Sequence, residues 1–67
     1  MTAAQFEVLE ATEAETLLRW RFESLTMNGC PPGNALVIAS HVEVDLESAV
    51  GLLQHGCPAH LVLPILL

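Results

Sequence analysis

Gly-Cys-Pro occurs twice in this chain of 67 residues, at Gly29-Cys30-Pro31 and at Gly56-Cys57-Pro58. Glycine takes up without strain the left-handed conformation that ends a helix, and proline is preset for the first helical position of the next. Each copy therefore marks a helix-to-helix corner, with the cysteine at the expected N-cap. An offset of 27 residues also superposes Leu25, Leu36 and Ile38 on Leu52, Leu63 and Ile65. A helix–corner–helix unit used twice explains this, whether by duplication or by convergence on one corner chemistry. Two copies are fewer than the three or more that a solenoid needs, so a compact bundle is expected.

The segments between the corners carry helical signals. Thr12-Glu13-Ala14-Glu15 has the form of a capping box, which predicts a first long helix over 13–28 after an N-terminal arm, 1–11. Leu18, Phe22 and Leu25 form its core-facing stripe. A short apolar second helix starts at Pro31 or Pro32, runs to Ser40 and carries Ala35, Leu36, Ile38 and Ala39. Asp45 is the expected N-cap of a third, whose inward face is Leu46, Ala49, Val50 and Leu53. Glu43, Asp45 and Glu47 suit the start of that helix and are read as solvated capping residues. A fourth helix is expected from Pro58 to about Leu63, followed by a kink or an extended tail because Pro64 removes a backbone donor.

Composition narrows the function. Eight acidic residues against two basic ones give a formal net charge of −6, the wrong sign for nucleic-acid phosphates or an anionic lipid surface. No apolar run approaches the roughly 20 residues of a membrane span. The first ten residues lack a basic stretch followed by an apolar one, so a cytoplasmic location is expected. Hydrophobic residues make up 52% of the chain, more than a small solvated domain needs, which points to a covered apolar surface: a protein partner or a second copy.

From Gly29 to Leu53 the spacing resembles the ubiquitin-associated (UBA) domain, a three-helix bundle. The matching residues are Asn28-Gly29-Cys30 for the loop after the first helix, Ala35-Leu36 in the second, and Leu46-Glu47, Ala49-Val50 and Leu53 in the third. The resemblance implies a protein-binding module, with ubiquitin among the candidate partners. By analogy its contact surface would be Asn28, Gly29, Cys30, Leu52 and Leu53. Asn28 and Cys30 stand where the family carries methionine and an aromatic residue. The resemblance therefore favours protein recognition in general over ubiquitin in particular.

Arg19-Trp20-Arg21 holds the only two cations and the only tryptophan. With Leu18 and Phe22 facing inward, Trp20 lies about 200° round the helix from Leu18 and shares a second face with Leu17 and Met27. Trp and Arg dominate binding hot spots, which makes Leu17, Trp20, Arg21 and Met27 the first candidate contact patch. The plainer alternative buries Trp20 and pairs the arginines with Glu15 or Glu23. Leu61-Val62-Leu63 and Ile65-Leu66-Leu67 form the most apolar stretch. It either closes the open side of the bundle or packs on a second copy through Leu63, Ile65 and Leu66.

Cys30 and Cys57, with His41, His55 and His60, are the residues from which a thiol- or metal-dependent sensor would be built. Their spacing is not that of a structural zinc site, and small buried cysteines with solvated histidines are the plainer reading. The sequence thus predicts an all-α fold, UBA-like with an added short C-terminal helix, acting in protein recognition without catalysis, cofactor or metal. The alternatives are a cysteine-based redox or metal sensor and a structural homodimer.

Overall fold

The computed structural model describes all of Met1–Leu67 and contains five α-helices and no strand: α1 (Ala3–Glu7), α2 (Ala11–Met27), α3 (Pro32–Ser40), α4 (Leu46–Gln54) and α5 (Ala59–Leu66). Packing closes a ring: α2 lies against α3 and α4, and α5 bridges α3 and α4 on the far side. Leu25, Ile38 and Val62, from α2, α3 and α5, are the largest side chains fully withdrawn from water. Ala35 and Ala49 are sealed as well, their small size letting helices approach closely at the centre.

Both corners are Schellman motifs, built alike. Gly29 and Gly56 each have φ of 87°, the left-handed region in which glycine alone is unstrained. The Gly29 and Cys30 amides donate to the Thr26 and Leu25 carbonyls, both at 3.1 Å. The Gly56 and Cys57 amides donate in the same way to Leu53 and Leu52, at 3.1 and 2.9 Å. Four helix-end carbonyls are thereby satisfied. The expected cysteine N-caps are corrected: the caps are Pro31 and Pro58, and each cysteine occupies the preceding position, where the motif places an apolar residue against the last turn. Leu25 and Cys30 belong to one core cluster, and Leu52 and Cys57 pack against it.

Arg21 is the main departure from expectation. It is 4% exposed, inside the stripe of Leu18, Phe22 and Leu25. Its Nε donates to the Ala39 carbonyl at 3.0 Å, and its Nη2 to His41 and Val44 at 2.9 Å each, with a longer contact to Ile38 at 3.5 Å. These carbonyls belong to the last turn of α3 and to the loop leading into α4. The last turn of α3 has no basic residue of its own, so a cation from α2 caps its negative end. Burial pushes the guanidinium below its ordinary pKa, while the charges of Asp45 and Glu43 oppose that push. The expectation that Arg21 is exposed, or paired with Glu15 or Glu23, is therefore overturned.

Other boundaries shift for local reasons. Asp45 caps α4 as expected, accepting from the Ser48 amide at 3.0 Å. The capping box expected at Thr12 forms instead at Thr2, whose hydroxyl accepts from the Gln5 amide while Gln5 accepts from the Thr2 amide. α2 starts earlier because the Ala14 amide bonds to the Glu10 carbonyl, leaving Thr12 inside the helix. α5 continues through Pro64 to Leu66 rather than stopping near Leu63. Ala59, Val62, Leu63 and Leu66 form an i, i+3, i+4, i+7 stripe on the core, which only a continuous helix can present. The cost is one bond at an exposed site, and the Leu67 amide resumes the ladder to Leu63 at 2.8 Å.

Replacing Arg21 by Met should destabilise the fold by about 3 kcal/mol, because several buried carbonyls lose a charged donor. For a domain of this length total stability is on the order of 3–10 kcal/mol. Arg21→Lys should also lose most of that contribution, since an ammonium lacks the planar fork. Urea denaturation followed by circular dichroism checks both, and a wild-type midpoint in Arg21→Met would refute the capping role. Glycine substitutions should move stability in opposite directions. Gly29→Ala meets no neighbouring atom but forces a left-handed alanine, costing about 1–2 kcal/mol. Gly51→Ala, inside α4 and also in open space, should gain about 0.5–1 kcal/mol. Thermal melts of the two variants give the signs directly.

Candidate functional site

Removing Arg21 from the surface leaves a sharper patch on α2. Leu17, Trp20, Ser24 and Met27 recur at helical spacing on its outward side. Trp20 is 55% exposed and Met27 85%, whereas Leu17 is half-buried. Arg19, the other cation, is exposed and paired with Glu15 one turn earlier at 3.0 Å. Such a surface pair contributes little, ~0.3–0.5 kcal/mol.

Trp20 belongs to two grooves. One, of about 520 Å³, is lined by Leu17 and Glu13 of α2 with Leu9 and Met1 from the N-terminal segment. The other, of about 400 Å³, lies between α2 and α4 and is lined by Ser24 and Asn28 on one side and Glu47, Val50 and Gln54 on the other. The indole therefore stands where they meet, at the middle of the long helix. The part played by α4 is not legible in the sequence, because Val50 fits the apolar stripe of that helix and reads as core. It is half-buried and serves both.

The residues suggested by the UBA resemblance are only partly available. Cys30 is buried, so it is corrected from a contact residue to a core residue. Leu52 and Leu53 are half-buried and pack against the core. Gly29 is exposed. Asn28 is half-buried and fixed in place, its Nδ2 donating to the Ser24 carbonyl at 2.7 Å and its Oδ1 accepting from Gln54 Nε2 at 3.1 Å. The bond to Gln54 ties the end of α2 to the end of α4 beside the second groove.

The C-terminal residues divide in the same way. Leu63 and Leu66 pack half-buried on the core, so they take part in closing the bundle, the first of the two roles expected of the apolar tail. Ile65 is 56% exposed and faces outward, as do Leu61 and Leu67. The bundle thus uses part of the apolar tail to close its ring and leaves part uncovered.

No protein-family model, curated protein or solved structure matches this chain. No three residues among its histidines, cysteines and carboxylates are arranged to hold a metal ion. His41 and His55 each bond through Nδ1 to the carbonyl four residues earlier, at 2.8 and 2.6 Å, and act as local helix-end ligands. Both cysteines are free thiols. Burial pushes the Cys30 thiol above its ordinary pKa, which is the opposite of what a reactive thiolate requires. No helix is long and apolar enough to cross a membrane.

The two thiols should therefore react in sequence. Cys57, half-buried, should be alkylated by iodoacetamide under native conditions well before Cys30, which should react only as the fold opens. Intact mass spectrometry with peptide mapping reads the order, and adding urea should equalise the rates. Because the folded pKa of Cys30 is raised, its contribution to stability is complete below the unfolded thiol pKa and is lost as pH climbs through the folded value.

Proposed function

We propose that this protein is a non-catalytic recognition module that binds a partner protein through the outward face of α2, with Trp20 as the anchor. The observation that carries this reading is the position of Trp20: the chain's only tryptophan, more than half exposed, at the junction of two grooves. A large ring left in water costs about 25 cal/mol for each Å² of its apolar surface, and a partner that covers it recovers that energy. Leu17 and Val50 provide apolar flanks, and Asn28 and Gln54 provide an ordered polar rim. A hydrophobic centre with a polar border is the usual anatomy of a recognition surface.

The α2–α4 unit is proposed as a UBA-like arrangement, supported by the glycine-ended loop at Gly29 and the inward Ala35, Leu46 and Ala49. Because Cys30 is withdrawn into the core, the surface offered lies along α2 and α4 rather than at that loop. This favours a partner other than ubiquitin. A second reading, a structural homodimer, is favoured by exposed Ile65, Leu61 and Leu67 at the C-terminus.

Capture from a native lysate on immobilised protein distinguishes the two surfaces. A specific partner retained by wild type should be lost with Trp20→Ala and kept with Ile65→Ala. A hot-spot tryptophan is worth about 2 kcal/mol or more, roughly a thirtyfold loss of affinity. Retention unaffected by Trp20→Ala would exclude the α2 surface. Sedimentation at low micromolar concentration addresses the second reading, in which Ile65→Ala should dissociate a dimer.

A further inference from the structure

We infer that the partner segment is a cationic amphipathic helix, laid along α2 across the two grooves that meet at Trp20. This rests on the recognition surface proposed above and adds the chemistry of its occupant. Shape is one ground. From Glu13 to Asn28 the two grooves run along one helix for about 22 Å at 1.5 Å rise per residue, which a partner helix of about 15 residues would match. A groove between helices, apolar at its centre through Leu17, Trp20 and Val50, takes the apolar stripe of another helix.

Charge is the other. Glu13 lines one groove and Glu47 the other, so each groove carries a carboxylate beside the apolar centre. All eight acidic side chains are exposed, whereas Arg21 is withdrawn beneath the carbonyls of α3 and Arg19 is paired with Glu15. Apart from the Met1 amino group at the first groove and the exposed Arg19 of the Glu15 pair, the surface therefore offers carboxylates. A second copy of this chain would bring the same excess of negative charge to the contact, and an anionic segment would do likewise. A helix with lysine or arginine beside its apolar stripe complements both features.

Fluorescence anisotropy of labelled 18-residue peptides tests the assignment on the full chain. The probes are an amphipathic Leu/Lys helix, a Leu/Glu helix and a Leu/Ser helix of the same apolar pattern, and a scrambled Leu/Lys sequence with no apolar face. The Leu/Lys helix should bind at least about tenfold more tightly than the other three and weaken as salt is raised. Trp20→Ala should weaken it roughly thirtyfold, and the double variant Glu13→Gln, Glu47→Gln about fivefold. Unchanged melting temperatures confirm that the substitutions act at the surface.

Equal binding of the scrambled Leu/Lys peptide, or binding indifferent to Trp20→Ala, would overturn the inference by reducing it to diffuse attraction. Equal binding of the Leu/Glu or Leu/Ser helix would overturn the cationic assignment. Binding of none of the peptides would overturn it too. In these cases the recognition reading is judged separately, by whether lysate capture still depends on Trp20.

Discussion

The fold depends on one guanidinium. The Arg21 side chain reaches from α2 to the end of α3, where helix carbonyls point outward and backbone amides reach only some of them, Ile38 from His41 and His41 from Val44. Its planar donors gather the carbonyls of Ala39, His41 and Val44, so the chain leaving α3 must curl around the arginine before it can start α4. Val42 and Val44, on either side of Glu43, are turned inward by that curl and buried. The Val44 amide closes the turn onto the His41 carbonyl at 2.9 Å. Asp45 is then in place to cap α4. A buried cation without a carboxylate in contact is ordinarily unfavourable. Here the aligned carbonyl dipoles of a helix end substitute for the counterion, with Asp45 and Glu43 contributing at longer range.

Around that cluster, the two glycine corners set the chain directions. Their backbones are alike, but the helices they launch differ in which residues they bury. Ala35 and Val62, which correspond at the 27-residue offset, are both fully buried, whereas Ile38 is buried and Ile65, its counterpart, is exposed. Leu36 and Leu63 invert in the other direction, the first exposed and the second half-buried. The likeness therefore extends through the corner and the first helical turn and fails beyond it, because α3 packs against α2 and α5 while α5 packs against α3 and α4. The cysteines also acquire a reason. Each lies two residues beyond the helix cap, where a small apolar side chain folds back over the final turn. Cys30 fills that role in the core and Cys57 at its margin.

The legible part of the sequence is its local chemistry. Gly29, Gly56 and Asp45 act through their own backbone and nearest neighbours, so the residue type announces the structure. The helices between them are written in the spacing of leucine, valine and alanine. Arg21 escapes such a reading because its partners are 17 to 23 residues away, and nothing next to it marks the carbonyls it will meet. A charge inside an apolar stripe is the available signal, since Leu18, Arg21, Phe22 and Leu25 share one helical face. Pro64 escapes it for the complementary reason: a local rule that ends helices yields to the packing of Val62, Leu63 and Leu66, which needs the helix to continue. For the candidate site, the exposure of Trp20 is given by helical phase, but the wall contributed by α4 requires the tertiary structure.

The burial of Arg21 also bears on function, because it changes what the outside of the molecule presents. The formal charge of −6 counts two cations. One of them is spent on carbonyls inside the bundle and the other is neutralised by Glu15. The outside of the molecule therefore presents carboxylates along α2, on the loop into α4 and on the first turn of α4, including Glu13 and Glu47 in the grooves beside Trp20. Fields of this kind act mainly on encounter, raising the association rate of an oppositely charged segment and discouraging a like-charged one. Residence depends instead on the short-range contacts made once two surfaces have docked. The same residue that holds α3 to α4 is thus withdrawn from the outside of the molecule, so that the stability of the fold and the excess of negative charge around the proposed recognition surface share one physical origin.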